Sequence, residues 1–87
     1  MNEQIIIEEI EKYISKNILS AEVHIDASTD LKQAGIDSFS IVEIILFIER
    51  RFGVSIPDEK LVPDNFKTLL ALATIVQQIL SQTESKG

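Results

Sequence analysis

The chain has 87 residues, of which 45% are hydrophobic, and its 14 acidic and 8 basic side chains give a formal net charge of −6. This length allows one small hydrophobic core, so we expect a single domain over residues 1–87. The negative charge argues against nucleic acid as a partner and favours basic surfaces on other proteins. Because the sequence has no cysteine, disulfides, thiolate metal sites and cysteine nucleophiles are excluded.

The first ten residues, MNEQIIIEEI, have acidic side chains where a signal peptide has a basic start and an unbroken apolar stretch. We interpret them as the start of a mature protein. Unbroken apolar runs such as Ile44 to Ile48 reach only five residues, far short of the ~18 of a membrane span. These features predict a soluble protein without membrane insertion, and the absence of cysteine is compatible with the cytoplasm.

The N-terminal part of the chain has a helical pattern that then stops. From Glu3 to about Asn17, apolar residues recur at steps of three and four with charged residues between them, which predicts an amphipathic helix. Residues 19 to 37 lose this periodicity and predict a long loop. A loop of that length is uncommon in so small a domain, and we interpret it as functional.

The rest of the chain predicts three further helical elements. The second helix runs from Ser38 to about Phe52, with a stop at Gly53. A short helix of one or two turns follows in SIPDEKL and is closed by Pro63. The last helix begins near Thr68, a suitable N-cap residue, and ends in a polar tail that frays from about residue 82. Three long helices and one short helix predict an all-α fold, a small four-helix bundle.

The segment AGIDSFS, residues 34–40, begins the second predicted helix. Asp37 is placed to cap this helix, and Ser38 should lie in its first turn with the hydroxyl outward. Gly35 permits a tight approach of the loop. The side chains expected to turn inward or to line the rim are Phe39, Ile41, Val42 and Ile45.

Ser38 suits the attachment of a phosphate better than it suits catalysis. Free N–H groups and the positive end of the helix dipole would stabilise a phosphate at this position. His24 is a single residue in the predicted loop and supplies no general base for Ser38. A serine in a first helical turn is often no more than part of a cap, so this motif alone does not define a function.

Three motifs occur together in this chain: GIDSF at the start of the second helix, RFGVSIP at its end, and NFKT before the last helix. With them, residues from about 5 to 80 resemble the acyl carrier and peptidyl carrier protein family. The resemblance implies that Ser38, with Asp37 and Gly35 beside it, is the site at which a phosphopantetheinyl transferase attaches 4'-phosphopantetheine from coenzyme A. It also implies that the thiol of this arm holds a cargo as a thioester, and that an acyl chain is sheltered between the second and last helices.

The resemblance further implies partner enzymes, namely the ligases, synthases and transferases of one pathway. The residues expected to contact them are Phe39, Ile41, Glu43, Glu49 and Arg50. Family members of the fatty-acid type present acidic residues along this helix to basic patches on their partners, and Glu43 and Glu49 match two of those positions. Arg50 and Arg51 stand where further acids are frequent, which favours a specialised pathway. Charges at a helix end are also typical of a face that only meets solvent.

We therefore expect a discrete, monomeric acyl carrier protein without catalytic activity of its own, working in fatty-acid, polyketide or specialised biosynthesis. An aminoacyl or peptidyl carrier of a nonribosomal pathway, and an acidic helical adaptor without a prosthetic group, stay open as alternatives. No metal site is expected. The stretch from Asp26 to Asp37 resembles a calcium loop, but Leu31 occupies the position that requires glycine, and the last ligand is not glutamate.

Overall fold

The structure is a computed structural model that describes residues 2–19 and 23–86. These residues form three α-helices and no strand: α1 is Glu3–Asn17, α2 is Ser38–Phe52 and α3 is Leu69–Lys86. The all-α prediction is confirmed. In place of the predicted short helix, two 3-10 turns, Asp58–Lys60 and Pro63–Phe66, lie between α2 and α3. Pro63 begins the second of these turns and does not close a helix, so the four-helix description is not confirmed.

Helix α1 buries one stripe of isoleucines and pairs with α2 in the antiparallel direction. Its buried residues, separated by steps of one, three and four, are Ile6, Ile7, Ile10 and Ile14. Tyr13 stacks on Phe47 of α2 with ring centroids 4.2 Å apart, and Glu9 Oε1 lies 2.8 Å from Arg51 Nε. Because residues earlier in α1 meet residues later in α2, the two helices run in opposite directions.

Both ends of α2 follow from local signals in the sequence. Asp37 is the N-cap, and Gly53 ends the helix in the left-handed conformation with φ of 67°, which a residue with a side chain rarely adopts. Just beyond this stop, Glu49 Oε2 accepts the Ile56 N–H at 2.9 Å. That hydrogen bond fixes the segment that follows α2. It also means that the Glu49 carboxylate already has a partner within the protein.

Helix α3 begins where the sequence predicts and continues further than expected. Thr68 Oγ1 accepts the Ala71 N–H at 3.0 Å, which confirms Thr68 as the capping residue. The helix is continuous to Lys86, so residues 82–86, assigned to a polar tail from the sequence, are helical. That this last turn frays in solution stays a prediction.

The segment between α1 and α2 supplies side chains to the core. Its described residues, 18–19 and 23–37, form turns and no α-helix. Ile25, Leu31 and Ile36 are all buried, and Leu31 is fully buried. The Leu31 N–H also donates to the Lys67 carbonyl at 2.8 Å, and the Leu70 N–H donates to the Ala27 carbonyl at 3.0 Å. These contacts fix the segment against the start of α3.

Within the part of the chain that the structure describes, none of the helices has the length and apolarity needed to cross a membrane.

Leu31→Ala should destabilise the fold by about 2–5 kcal/mol, because it leaves a cavity in a core that is already small. The matched control is Leu70→Ala, since Leu70 is 44% exposed and its truncation should cost no more than about 1 kcal/mol. Urea unfolding monitored by circular dichroism measures both. Equal costs for the two substitutions would mean that the segment before α2 is not part of the core.

Candidate functional site

The candidate site is centred on Ser38, the first residue of α2, which is exposed. Asp37 holds the backbone around it through two acceptors. Its Oδ1 accepts the Ser40 N–H at 2.8 Å, and its carbonyl accepts the Ile41 N–H at 3.0 Å. The amides that precede Ser40 are at the helix terminus, where no carbonyl of the helix can accept from them. The positive end of the helix therefore favours an anion placed just outside it.

The charge of Asp37 is stabilised by the same cap. The hydrogen bond from the Ser40 N–H, followed by one from the Ser40 hydroxyl, holds the pKa of Asp37 below its ordinary value. The carboxylate is therefore ionised at neutral pH and acts as an acceptor only. It caps the helix by accepting hydrogen bonds from Ser40.

Gly35 and Ile36 direct the chain into the site. Gly35 has a φ of 104°, in the region that favours glycine. The Ile36 N–H donates to the Leu31 carbonyl at 3.0 Å, and the Ile36 side chain is only 2% exposed. A Cβ on Gly35 would meet nothing within 4 Å. Glycine is required here by the backbone turn and not by lack of space.

Three apolar side chains of α2 face solvent: Phe39 is 74% exposed, Val42 54% and Leu46 51%. The expectation that Phe39 and Val42 turn inward or line the rim is wrong. The side chains of α2 that face the core are Ile44, Ile48 and Phe52. In a helix with 3.6 residues per turn, positions 39, 42 and 46 lie on the other side. Ile41 and Ile45, expected in the same way, are partly buried against the core.

The predicted partner-binding residues divide into two groups. Phe39 and Arg50 are exposed, and Glu43 is half-buried. Ile41 packs against the core, and Glu49 is hydrogen-bonded to the Ile56 amide. The exposed residues Val42 and Leu46 were not among the predicted contacts. Their spacing from Phe39, three and seven residues, is the sequence signal that could have found them.

The carboxylates of the calcium-like stretch are engaged in local turns. Asp26 Oδ1 accepts the Ser28 N–H at 2.9 Å, and Asp30 Oδ1 accepts the Lys32 N–H at 3.0 Å. Leu31, at the position that requires glycine, is fully buried. Over residues 2–19 and 23–86, no three His, Asp or Glu side chains are grouped so that they could hold a metal ion.

Two adjoining depressions run along α3 and the first 3-10 turn, with volumes of about 440 Å³ and 480 Å³. Both are lined by Lys60, Thr74 and Gln78, and neither has a lining residue from α2. They therefore do not correspond to the expected shelter between the second and last helices, which stays a prediction.

Comparison with known proteins identifies the family. A sequence profile described as "Phosphopantetheine attachment site" matches residues 6–76. The chain is 27% identical over 67 residues to "Aminoacyl carrier protein 2" of Bradyrhizobium diazoefficiens. This alignment covers 77% of the present chain and 73% of that protein. It is 38% identical over 55 residues to an acyl carrier protein of Helicobacter acinonychis, with coverages of 61% and 69%.

The fold matches as well. The crystal structure of an acyl carrier protein from Thermotoga maritima superposes with a TM-score of 0.77 and covers 95% of both chains. The two sequences are 23% identical, so this likeness concerns the fold alone.

The helical fold and the extent of the profile match define a carrier-protein domain. The chain belongs to the phosphopantetheine attachment site family, as the three sequence motifs indicate. Its acyl carrier relatives are carriers without catalytic activity of their own, and they bear covalently attached 4'-phosphopantetheine. These proteins receive the cofactor from a phosphopantetheinyl transferase and interact with the enzymes of their pathway. The predictions of family, cofactor and absence of enzymatic activity are confirmed by this membership.

Gly35→Ala should destabilise the fold by about 1–2 kcal/mol, because the positive φ strains any residue with a Cβ. Gly53→Ala is the matched control, since Gly53 also has a positive φ and open space around its Cβ, but lies at the other end of α2. Both variants should lower the urea midpoint by similar amounts. Only Gly35→Ala should also slow the modification of Ser38 by a phosphopantetheinyl transferase, and equal slowing by both would contradict a local role for Gly35.

Asp37→Asn should remove a pH-dependent part of the stability while keeping an oxygen that can cap α2. Because the pKa of Asp37 is lowered in the folded state, its charge stabilises the fold above the ordinary value of 3.8. That contribution disappears as the pH falls through the lower, folded pKa. The urea midpoint of the wild type should exceed that of the variant at neutral pH, and the gap should close in acid.

The control for this pH effect is Asp26→Asn, because the pKa of Asp26 is also lowered, chiefly by the hydrogen bond from the Ser28 N–H. It should show the same closing gap, because its charge is stabilised in the same way. A gap between wild type and Asp37→Asn that stays constant with pH would mean that the charge of Asp37 does not stabilise the fold.

Proposed function

We propose that this protein is an acyl carrier protein in which the Ser38 hydroxyl is the attachment point of 4'-phosphopantetheine. It presents an acyl thioester to the enzymes of a fatty-acid, polyketide or specialised biosynthetic pathway. The observation that supports this most directly is the exposed position of Ser38 at the first residue of α2, immediately after the Asp37 cap.

The residues around Ser38 fit a phosphodiester at this position. After the turn at Gly35, Ile36 anchors the chain in the core, and Asp37 fixes the first turn of α2 at the surface. The helix terminus offers N–H donors and a partial positive charge to a phosphate on the Ser38 oxygen. When bound, the arm supplies the thiol that holds the cargo as a thioester. Because this chain has no cysteine, no protein thiol competes for the cargo.

Ser38 does not need to be a nucleophile in the free protein. Asp37 is ionised and is directed at the Ser40 amide, so in this proposal the chain fixes the backbone around Ser38 and leaves deprotonation of the hydroxyl to the transferase. This division agrees with a carrier that has no catalytic activity of its own.

We also propose that partner enzymes bind along α2, with Phe39, Glu43 and Arg50 as direct contacts. Ile41 and Glu49, expected as contacts from the resemblance, would support this surface from beneath. Ile41 packs against the core, and Glu49 holds the chain that follows the helix.

In the same proposal the protein is one domain over residues 1–87 and works as a monomer in the cytoplasm. The two 3-10 turns take the place of the short helix in a four-helix bundle. The absence of cysteine is compatible with that reducing compartment.

An aminoacyl cargo is the second candidate, favoured by the similarity to an aminoacyl carrier protein that covers 77% of this chain. Incubation of the modified protein with acyl-activating and amino-acid-activating ligases, followed by intact mass, separates the two cargos. The third alternative, an adaptor without a prosthetic group, is set aside because the chain belongs to a phosphopantetheine attachment family.

Incubation with coenzyme A and a promiscuous phosphopantetheinyl transferase should add one 4'-phosphopantetheine group to the wild type. Ser38→Ala should abolish the addition completely, because it removes the only oxygen in the proposed position. Intact mass spectrometry measures the addition. The control is Ser40→Ala, two residues along the same helix, which should be modified like the wild type. Addition that persists in Ser38→Ala, or is lost only in Ser40→Ala, would overturn the assignment.

A further inference from the structure

Two of the four charged side chains of α2 are used within the protein. Glu49 accepts the Ile56 amide at 2.9 Å, and Arg51 pairs with Glu9 of α1 at 2.8 Å. Among the described residues, the ion pairs are this one and Lys67–Asp64, so Arg50 takes part in neither. Arg51 keeps 46% of its side chain exposed but is paired, so the charges of α2 without an internal partner among the described residues are Glu43 and Arg50.

These two charges share a face with the exposed apolar side chains. We call this face the α2 outer face; its residues are Phe39, Val42, Glu43, Leu46 and Arg50. At roughly 100° per residue, all five fall within about 100° of the helix circumference. Glu43 and Arg50 are seven residues apart, which corresponds to about 10 Å along the helix axis. The face thus presents an apolar stripe with a negative charge near its middle and a positive charge at the end away from Ser38.

We infer that the α2 outer face docks on a partner enzyme that presents an acidic side chain to Arg50, a basic side chain to Glu43, and an apolar depression to Phe39, Val42 and Leu46. This inference rests on the proposed function, because it concerns the partners that act on a cargo held at Ser38. Charge complementarity selects this partner over a uniformly basic one, since a surface that is basic along the whole helix would place a like charge against Arg50.

The sign of Arg50 makes the face discriminate between partners. A lysine or arginine opposite Arg50 would bring like charges together at an interface, where water is partly excluded and repulsion is stronger than on a free surface. An acidic residue in the same place would gain an ion pair. The net charge of −6 steers the protein toward basic surfaces from a distance, so Arg50 acts at close range to reject those that are basic along their whole length.

The test is a charge swap at Arg50. The probe is a ketosynthase of the fatty-acid type, selected for a basic carrier-docking patch. It is used with a second version in which the basic residue nearest the C-terminal end of the docked helix is changed to glutamate. The wild type and Arg50→Glu are both modified at Ser38 and loaded with the same acyl group. We then compare the kcat/KM of acyl transfer from each of them to each version of the ketosynthase.

The wild type should prefer the glutamate version by about three- to tenfold, and Arg50→Glu should prefer the parent ketosynthase by a similar factor. Both preferences should shrink at high salt. A purely structural role of Arg50 would change the rates with both versions in the same direction. The crossed preference is therefore the signature of a direct charge contact.

Lys16→Glu is the matched control, because Lys16 is a basic residue in the last turn of α1 and its replacement makes the same change in net charge at a helix C-terminus. It should behave like the wild type. The inference is overturned if Arg50→Glu shows no reversal, or if Lys16→Glu reproduces the reversal through net charge alone. Intact mass after the transferase step separates this failure from failure of the proposed function, since a chain that is not modified at Ser38 never enters the comparison.

Discussion

The burial of Leu31 and Ile36 is the constraint on which the site depends. Both side chains come from the segment before α2, and they are 0% and 2% exposed. Because Ile36 is held inside, the chain must turn at Gly35 and then emerge at Asp37, which places Ser38 at the surface. Hydrophobic burial thus positions a polar residue that is itself exposed. The backbone bond from Leu31 to Lys67 connects the same segment to the start of α3.

Local signals made most of the helix boundaries predictable. Asp37, Gly53 and Thr68 act through residues within one helical turn of themselves, and the structure has each in its expected role. The segment SIPDEKL predicts a short helix that is closed by Pro63. There, Pro63 starts a separate 3-10 turn, and the Asn65 side chain donates to the Lys60 carbonyl at 2.7 Å. That hydrogen bond joins the two 3-10 turns, and the sequence has no periodic pattern from which it could be predicted.

The parts of the site that the sequence could not provide depend on contacts between elements. The motif around Ser38 predicts the cap and the exposed serine, since both are settled within a few residues. The partner of Arg51 lies 42 positions away in α1, and that of Glu49 lies beyond the end of α2. Sequence alone therefore treats Glu49, Arg50 and Arg51 as equivalent surface charges. The hydrogen bond of Glu49 and the ion pair of Arg51 leave Arg50 as the one of these three charges without an internal partner in the described part of the chain.

A carrier must bind several enzymes in turn and leave each of them, so its interface has to be weak. Three exposed apolar side chains, Phe39, Val42 and Leu46, form a patch far smaller than the core of a permanent interface. Such a patch gives affinity to any apolar depression and discriminates little between partners. Increasing it would slow release, because affinity within one interface is set mostly by the dissociation rate. Selectivity can then come from charge, which changes the choice of partner with little added affinity. In the proposed interface, Glu43 and Arg50 supply the two charges on the α2 outer face.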